Sequence, residues 1–221
     1  MEVIEAIRGR ASTRAFLDQP VDKEVIQEIL DVARWSPSGA NTQPWQVAVV
    51  TGEAKRKLGD AMVEACVERR EVNSDYNYYA DRFPEVYRER QVACGYALYS
   101  ALGIERSDRE ARMEQWLRNF HGFGAPTELL FFLDSVLAKG SWIDIGLFLQ
   151  SVMLAARSYG LETCPQASFA DYPDIVREHL GYPESTLVVC GVAIGYPDPS
   201  DPVNNYRTER DPVEGFTRWL D

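Results

Sequence analysis

The sequence predicts one α+β domain built around a small central sheet. Apolar residues recur at helical spacing along much of the 221-residue chain, whereas strand-like apolar runs are few. The two kinds do not alternate strictly, which argues against a doubly wound parallel sheet. Hydrophobic residues make up 45% of the chain, enough for a packed core.

The elements follow in order. Val3, Ile4 and Ile7 share a helical face and predict a first helix to about Arg8. Asp22 is placed to cap a second helix, with Val25, Ile26, Ile29, Leu30 and Ala33 as its buried stripe. Residues 46–50 read as a short strand, and Thr51-Gly52 leads into a helix carrying Leu58, Ala61, Met62, Ala65 and Cys66 on one face. Residues 72–90 have weak periodicity and crowd Tyr76, Tyr78, Tyr79, Phe83 and Tyr87, the pattern of a loop that lines or covers a pocket or packs on its own domain. Arg88 and Arg90 follow, either of which could face a ligand.

Cys94, Leu98, Tyr99 and Leu102 mark a helix ended by Gly103. Asp108 caps the next, with Met113, Trp116, Leu117 and Phe120 expected inward. Phe123 to Pro126 is a tight connection into a buried strand over residues 128–133. Residues 141–159 predict a long helix, apolar on most sides, at a subunit interface or in a monomer core. Residues 160–168 read as a second small-residue loop. A short helix within residues 171–181 and the strongest strand, within 185–194, complete the pattern. The polar tail ends in Val213, Phe216, Trp219 and Leu220, which are expected to dock, a partner subunit being one option. Residues 1–221 form one domain, with 72–122 as a helical, aromatic excursion and 197–221 as a C-terminal arm.

Charge and composition exclude several functions. A net charge of −11 disfavours a general nucleic-acid surface. No segment has the roughly 18 apolar residues of a membrane span, and Met1 to Arg14 lack a signal-peptide core, so a cytoplasmic location is expected. Four dispersed cysteines form no CxxC pair, and His121 and His179 match no metal spacing, so no metal is expected.

Two stretches carry chemistry. Arg8-Gly9-Arg10-Ala11-Ser12-Thr13-Arg14 is a basic island in an acidic chain, suited to a phosphate or carboxylate, or simply a solvated run after a helix. Ser36-Pro37-Ser38-Gly39-Ala40-Asn41-Thr42-Gln43-Pro44-Trp45 offers compact donors and acceptors able to read a planar polar ligand, or to satisfy its own turn. The residues alone leave both pairs of readings open.

Taken together, Arg10-Ala11-Ser12-Thr13-Arg14, Pro37-Ser38-Gly39-Ala40-Asn41-Thr42-Gln43-Pro44-Trp45, Gly160-Leu161-Glu162-Thr163-Cys164-Pro165 and a late Arg210 occur in an order that resembles the nitroreductase family of FMN-dependent oxidoreductases. The resemblance spans nearly the whole chain. It implies an interlocked α+β homodimer with a small, mostly antiparallel sheet flanked by helices, and two FMN sites at the subunit interface.

By position, Arg10, Ala11 and Ser12 would adjoin the FMN phosphate and ribityl chain, Ala11 standing where the family often has a basic residue. Arg14 would face the flavin pyrimidine edge, where its charge stabilises reduced flavin. Arg210, with Arg207 as helper, would clamp the phosphate. Pro37, Ser38 and Gly39 would approach from the other subunit, supported by Asn41 and Gln43. Pro165, Gln166 and Ala167 would lie against the ring, and either Arg90 or Arg88 would reach the cofactor.

The implied activity is ping-pong hydride transfer from NADH or NADPH to nitroaromatic or quinone acceptors, with no catalytic side chain because the flavin carries the chemistry. Tyr76, Tyr78, Tyr79 and Phe123 are candidates to stack on or cover a small aromatic acceptor. Alternatives are a reductive dehalogenase or dehydrogenase of the same fold, or a non-catalytic flavin-binding protein.

Overall fold

The structure is a computed structural model and describes residues 1–220. Its centre is one antiparallel sheet of β1 (Gln46–Thr51), β2 (Thr127–Asp134), β3 (Glu162–Gln166) and β4 (Thr186–Gly195), in the order β1-β2-β4-β3. The two central strands are the longest and most fully buried of the four, because a strand flanked by neighbours and covered on both faces has few exposed positions.

The helices are α1 (Val3–Gly9), α2 (Lys23–Ala33), α3 (Gly52–Val67), α4 (Glu85–Ala101), α5 (Arg109–Leu117), α6 (Gly140–Ser158) and α7 (Pro173–Leu180). The period-2 alternation of β2 divides the core. Leu129, Phe131 and Leu133 face one layer with Ile26 and Ile29 of α2 and Phe148 and Val152 of α6. Leu130 and Phe132 face the other, with Leu58 and Met62 of α3 and Val176 of α7.

Several expectations change. Residues 162–166, expected as loop, form β3. Pro165 is tolerated there because β3 is the edge strand of the sheet, bridged on its outer side only at Thr163, so a missing N–H at Pro165 costs no ladder bond on that side. Helix α4 begins at Glu85, inside the stretch expected as loop, and buries no residue of its own; its helical face was hidden because it has no core to pattern against. Met113 is exposed rather than inward, since α5 packs through its C-terminal end. Asp22 occupies the N-cap of α2 without a side-chain cap bond, whereas Asp108 Oδ1 accepts from Ala111 N at 2.9 Å as expected.

Large apolar side chains remain outside. Val3, Ile4 and Ile7 of α1, Trp35, and Ile143 and Leu147 of α6 are exposed, as are Phe216, Trp219 and Leu220 of the arm. No helix among the described residues is long and apolar enough to cross a membrane.

Candidate functional site

The chain leaving α1 runs beside the first residues of β3. Ser12 bridges Thr163 in parallel, and Thr13 N donates to Thr163 O at 3.0 Å. This places the basic island against the C-terminal tail, where Arg10, Ser12, Arg14, Tyr206, Arg207 and Arg210 line a cleft of about 100 Å³ with Ala11, Thr208 and the exposed thiol of Cys94. Arg207 Nη1 donates to Arg10 O at 2.7 Å and its other terminal nitrogen to Gly9 O, fixing the end of α1. Arg210 Nη1 donates to Thr208 Oγ1 at 2.8 Å. Arg14 is held by Tyr206, whose hydroxyl accepts from Nη1 at 2.9 Å, while its backbone N–H donates to Asn204 Oδ1 at 2.9 Å.

Electrostatics give the cleft its purpose. Burial, and then the neighbouring Arg210 and Arg207, push the Arg10 guanidinium below its usual range, with Glu162 opposing them. Glu162 is itself engaged by Arg157 at 2.8 Å. Three guanidiniums thus converge without a carboxylate pairing with them among the described residues. Such a group is stable in the presence of a bound anion, and a phosphate monoester supplies the charge and the oxygens for these donors and for Ser12. The cleft therefore fits the phosphate end of FMN.

Beyond β3 lies a second cavity of about 290 Å³. Pro165, Gln166 and Ala167 form one wall, and Tyr76, Tyr78 and Tyr79 another. Tyr76 is anchored: its hydroxyl donates to Val189 O at 2.6 Å and its ring packs on Trp142 with centroids 4.5 Å apart. Burial, first of all, raises its pKa, so it stays a neutral donor. Tyr78 and Tyr79 stand edge-on at 4.7 Å and are more exposed. The Gln166 side chain points inward, where Oε1 accepts from Ala193 N at 3.1 Å and Nε2 donates to Asn119 O. Its backbone is what the cavity meets, the property required of a wall for a flat ring.

Glu128 lies behind this wall. It is buried in β2, and neither carboxylate oxygen has a hydrogen-bond partner. Gly122 and Gly191 make room for it: a Cβ at either would stand 2.6 Å and 2.7 Å from its oxygens, respectively. Burial pushes its pKa well above the usual carboxylate range, against the opposing attraction of Lys55. Burial also lowers Lys55, whose Nζ donates to His121 O at 2.8 Å. Burial thus outweighs their mutual attraction for both partners, favouring the protonated form of Glu128.

Other expected residues lie apart. Pro37, Ser38, Gly39, Asn41 and Gln43 line neither the cleft nor the cavity of their own chain. They form a self-bonded loop, with Gln43 N donating to Ser38 Oγ at 3.0 Å and Gly39 N reaching Asp144 of α6. Ala40, Asn41 and Gln43 take positive φ, a strained shape for a loop with no task. Arg90 pairs with Asp211, and Arg88 stands 4.0 Å from Glu85; neither lines the cleft. Phe123 is buried with Phe16, Ala125, Cys164 and Ala193, and its ring centroid is 6.0 Å from the Arg14 guanidinium, so it backs Arg14 instead of lining the cavity.

Sequence reasoning missed Asn119, Ser168 and Asp171 of the cavity, and Tyr206 of the cleft. Asn119 reaches the site only through tertiary packing. Ser168 and Asp171 follow Pro165 closely, and Glu128 is an acid inside an apolar strand; both signals were readable.

The similarities to known proteins agree with this geometry. Residues 7–196 match the sequence model of the Nitroreductase family. The chain is 40% identical to a 4-nitrobenzoate reductase of Pseudomonas putida over 215 residues, covering 97% of this chain and 93% of that protein. Its fold matches the crystal structure of the FMN and NADPH-dependent nitroreductase NfnB from Sphigopyxis sp. strain HMH with a TM-score of 0.98 at 37% identity, covering 100% of both chains. The FMN-dependent nitroreductase NfnB from Mycobacterium smegmatis, in complex with NADPH, matches with a TM-score of 0.94 at 34% identity, covering 99% of this chain and 97% of that one. A guanidinium cleft, an edge strand able to back a flat ring, and similarity along the full chain lead to one conclusion: this protein belongs to the nitroreductase family.

Proposed function

We propose that the protein is an FMN-dependent oxidoreductase that reduces nitroaromatic acceptors, and quinones beside them, with NADH or NADPH as reductant. The observation that carries this reading is the convergence of Arg10, Arg207 and Arg210, without a paired carboxylate, one strand away from a ring-sized wall at Pro165 to Ala167. FMN held by these residues would supply the redox chemistry, hydride exchange with the nicotinamide and the acceptor in separate half-reactions.

The chain's own residues bind and orient. Arg10 and Arg210 hold the phosphate with Ser12, and Arg207 fixes the backbone of Arg10. Arg14, steadied by the Tyr206 hydroxyl and Phe123, puts positive charge at the pyrimidine edge, favouring the reduced cofactor. Backbone groups of Pro165 to Ala167 meet the ring without offering a competing acid or base. Tyr76 closes the cavity floor, and the more exposed Tyr78 and Tyr79 form a side wall that limits water.

A homodimer belongs to the same reading. The exposed apolar faces of α1 and α6 and the exposed end of the arm support it, because a monomer rarely leaves so many large apolar side chains outside. The loop of Pro37, Ser38, Gly39, Asn41 and Gln43, without a site on its own chain, reaches the cofactor of the second copy. A cytoplasmic location follows from the soluble nicotinamide the reaction consumes.

The test is direct. Purified protein carries close to one FMN per chain, and nitrobenzene accelerates its oxidation of NADH or NADPH. A colourless protein that binds no added FMN overturns the reading.

A further inference from the structure

We infer that the tyrosine-walled cavity selects acceptors whose ring substituent is a cation or a hydrogen-bond donor and disfavours carboxylates, with Asp171 as the specificity-determining residue. The inference rests on the preceding reading, that the flavin ring lies against Pro165 to Ala167.

Asp171 is the one ionisable acid on the cavity wall, and no Lys, Arg or His lines it. The nearby basic residues are already committed. Arg70 pairs with Asp174, which also accepts from Asn73 Nδ2 at 2.9 Å. Arg177 pairs with Asp75 at 2.7 Å, and Asp75 takes a further bond from Val188 N at 3.0 Å. The Asp171 main chain is also fixed, its carbonyl accepting from Asn73 N at 3.1 Å, while its carboxyl has no hydrogen bond or ion pair among the described residues. Burial raises its pKa, and no neighbouring cation offsets this. On the same wall, Ser168 Oγ is buried without a partner.

The cavity therefore carries on its wall a carboxyl group that lacks a counter-ion. A carboxylate entering it loses water, finds no cation and meets Asp171. An ammonium or amide N–H entering it is met by the Asp171 carboxyl, and Tyr76, Tyr78, Tyr79 and Trp116 supply aromatic surface suited to the ring that carries the nitro group.

The experiment compares kcat/KM of the holoenzyme for 4-nitrobenzylamine, 4-nitrobenzamide and 4-nitrobenzoate, with FMN content measured on the same sample. The wild-type order is ammonium, then amide, then carboxylate, with ammonium over carboxylate by tenfold or more, on the order expected for one charge pair in a partly wet site. In Asp171→Asn that ratio falls to within about threefold, because the amide retains hydrogen bonding and loses the charge. The wild-type order needs no variant: equal or better use of 4-nitrobenzoate overturns the inference. So does an unchanged ratio in an Asp171→Asn protein that retains FMN and reduces nitro groups, and then the flavin reading stands alone. A wild-type protein that neither holds FMN nor reduces any of the three overturns both.

Discussion

Burial sets the protonation of Glu128, and with it a dependence of stability on pH. An ordinary glutamate titrates near about 4.3. In the fold, Glu128 keeps its proton above that value because its oxygens have no partner and Lys55 is bound to the His121 carbonyl. The folded state then holds a proton that the unfolded chain has released. Stability falls as pH rises from the ordinary glutamate value to the raised folded one, by up to about 1.4 kcal/mol per pH unit. Glu128→Gln removes this slope. Between about pH 5 and about pH 8, the urea midpoint of the variant gains on that of wild type; parallel midpoints would show Glu128 to be ionised in the fold. Arg10→Ala removes a guanidinium from the anion cleft, and apo-protein titrated with FMN shows binding weakened by about tenfold or more, the scale of one charge-assisted contact. The residues of this cleft were legible because arginines in an acidic chain stand out. Asn119 and Tyr206 were not, since only packing and a turn of the tail bring them to the site.

At the level of elements, close approach decides where glycine is needed. Gly59 of α3 faces the short turn after α5, and a Cβ there would stand 2.6 Å from both Phe120 O and His121 Nδ1. Helix propensity alone favours Gly59→Ala by about 1 kcal/mol. Overpacking against backbone costs about 1–3 kcal/mol, so the variant unfolds at lower urea than wild type. A variant more stable than wild type would show that the turn yields freely. The elements were legible for the same physical reason that they form: α2 and α3 have a dry face and a wet face, and β2, dry on both faces, is an unbroken apolar run. The exceptions lack that contrast. Strand β3 is five residues long and contains Pro165, which local pattern assigns to a loop and an open sheet edge accepts. Helix α4 buries nothing within its own chain, so no stripe marked its start.

For the whole molecule, the apolar faces of α1 and α6 predict a particle of twice the 25.0 kDa chain mass in light scattering. Ile143→Asp puts a charge on the exposed face of α6. It shifts the particle toward one chain and lowers FMN occupancy together, if, as proposed, each cofactor site is completed by the other copy. Monomers that keep full FMN occupancy would separate the two. The residues of the 36–45 loop alone left its destination open, since a contact between copies has no local signature; only the family resemblance pointed to the other subunit.

Cys94 supplies a way to count such sites. Its exposed thiol lines the arginine cleft proposed for the FMN phosphate. Cofactor loading and alkylation of that sulfur then exclude each other. The fraction of protein labelled quickly by a maleimide, read by intact mass, becomes a census of empty cofactor sites in any preparation, independent of colour or turnover.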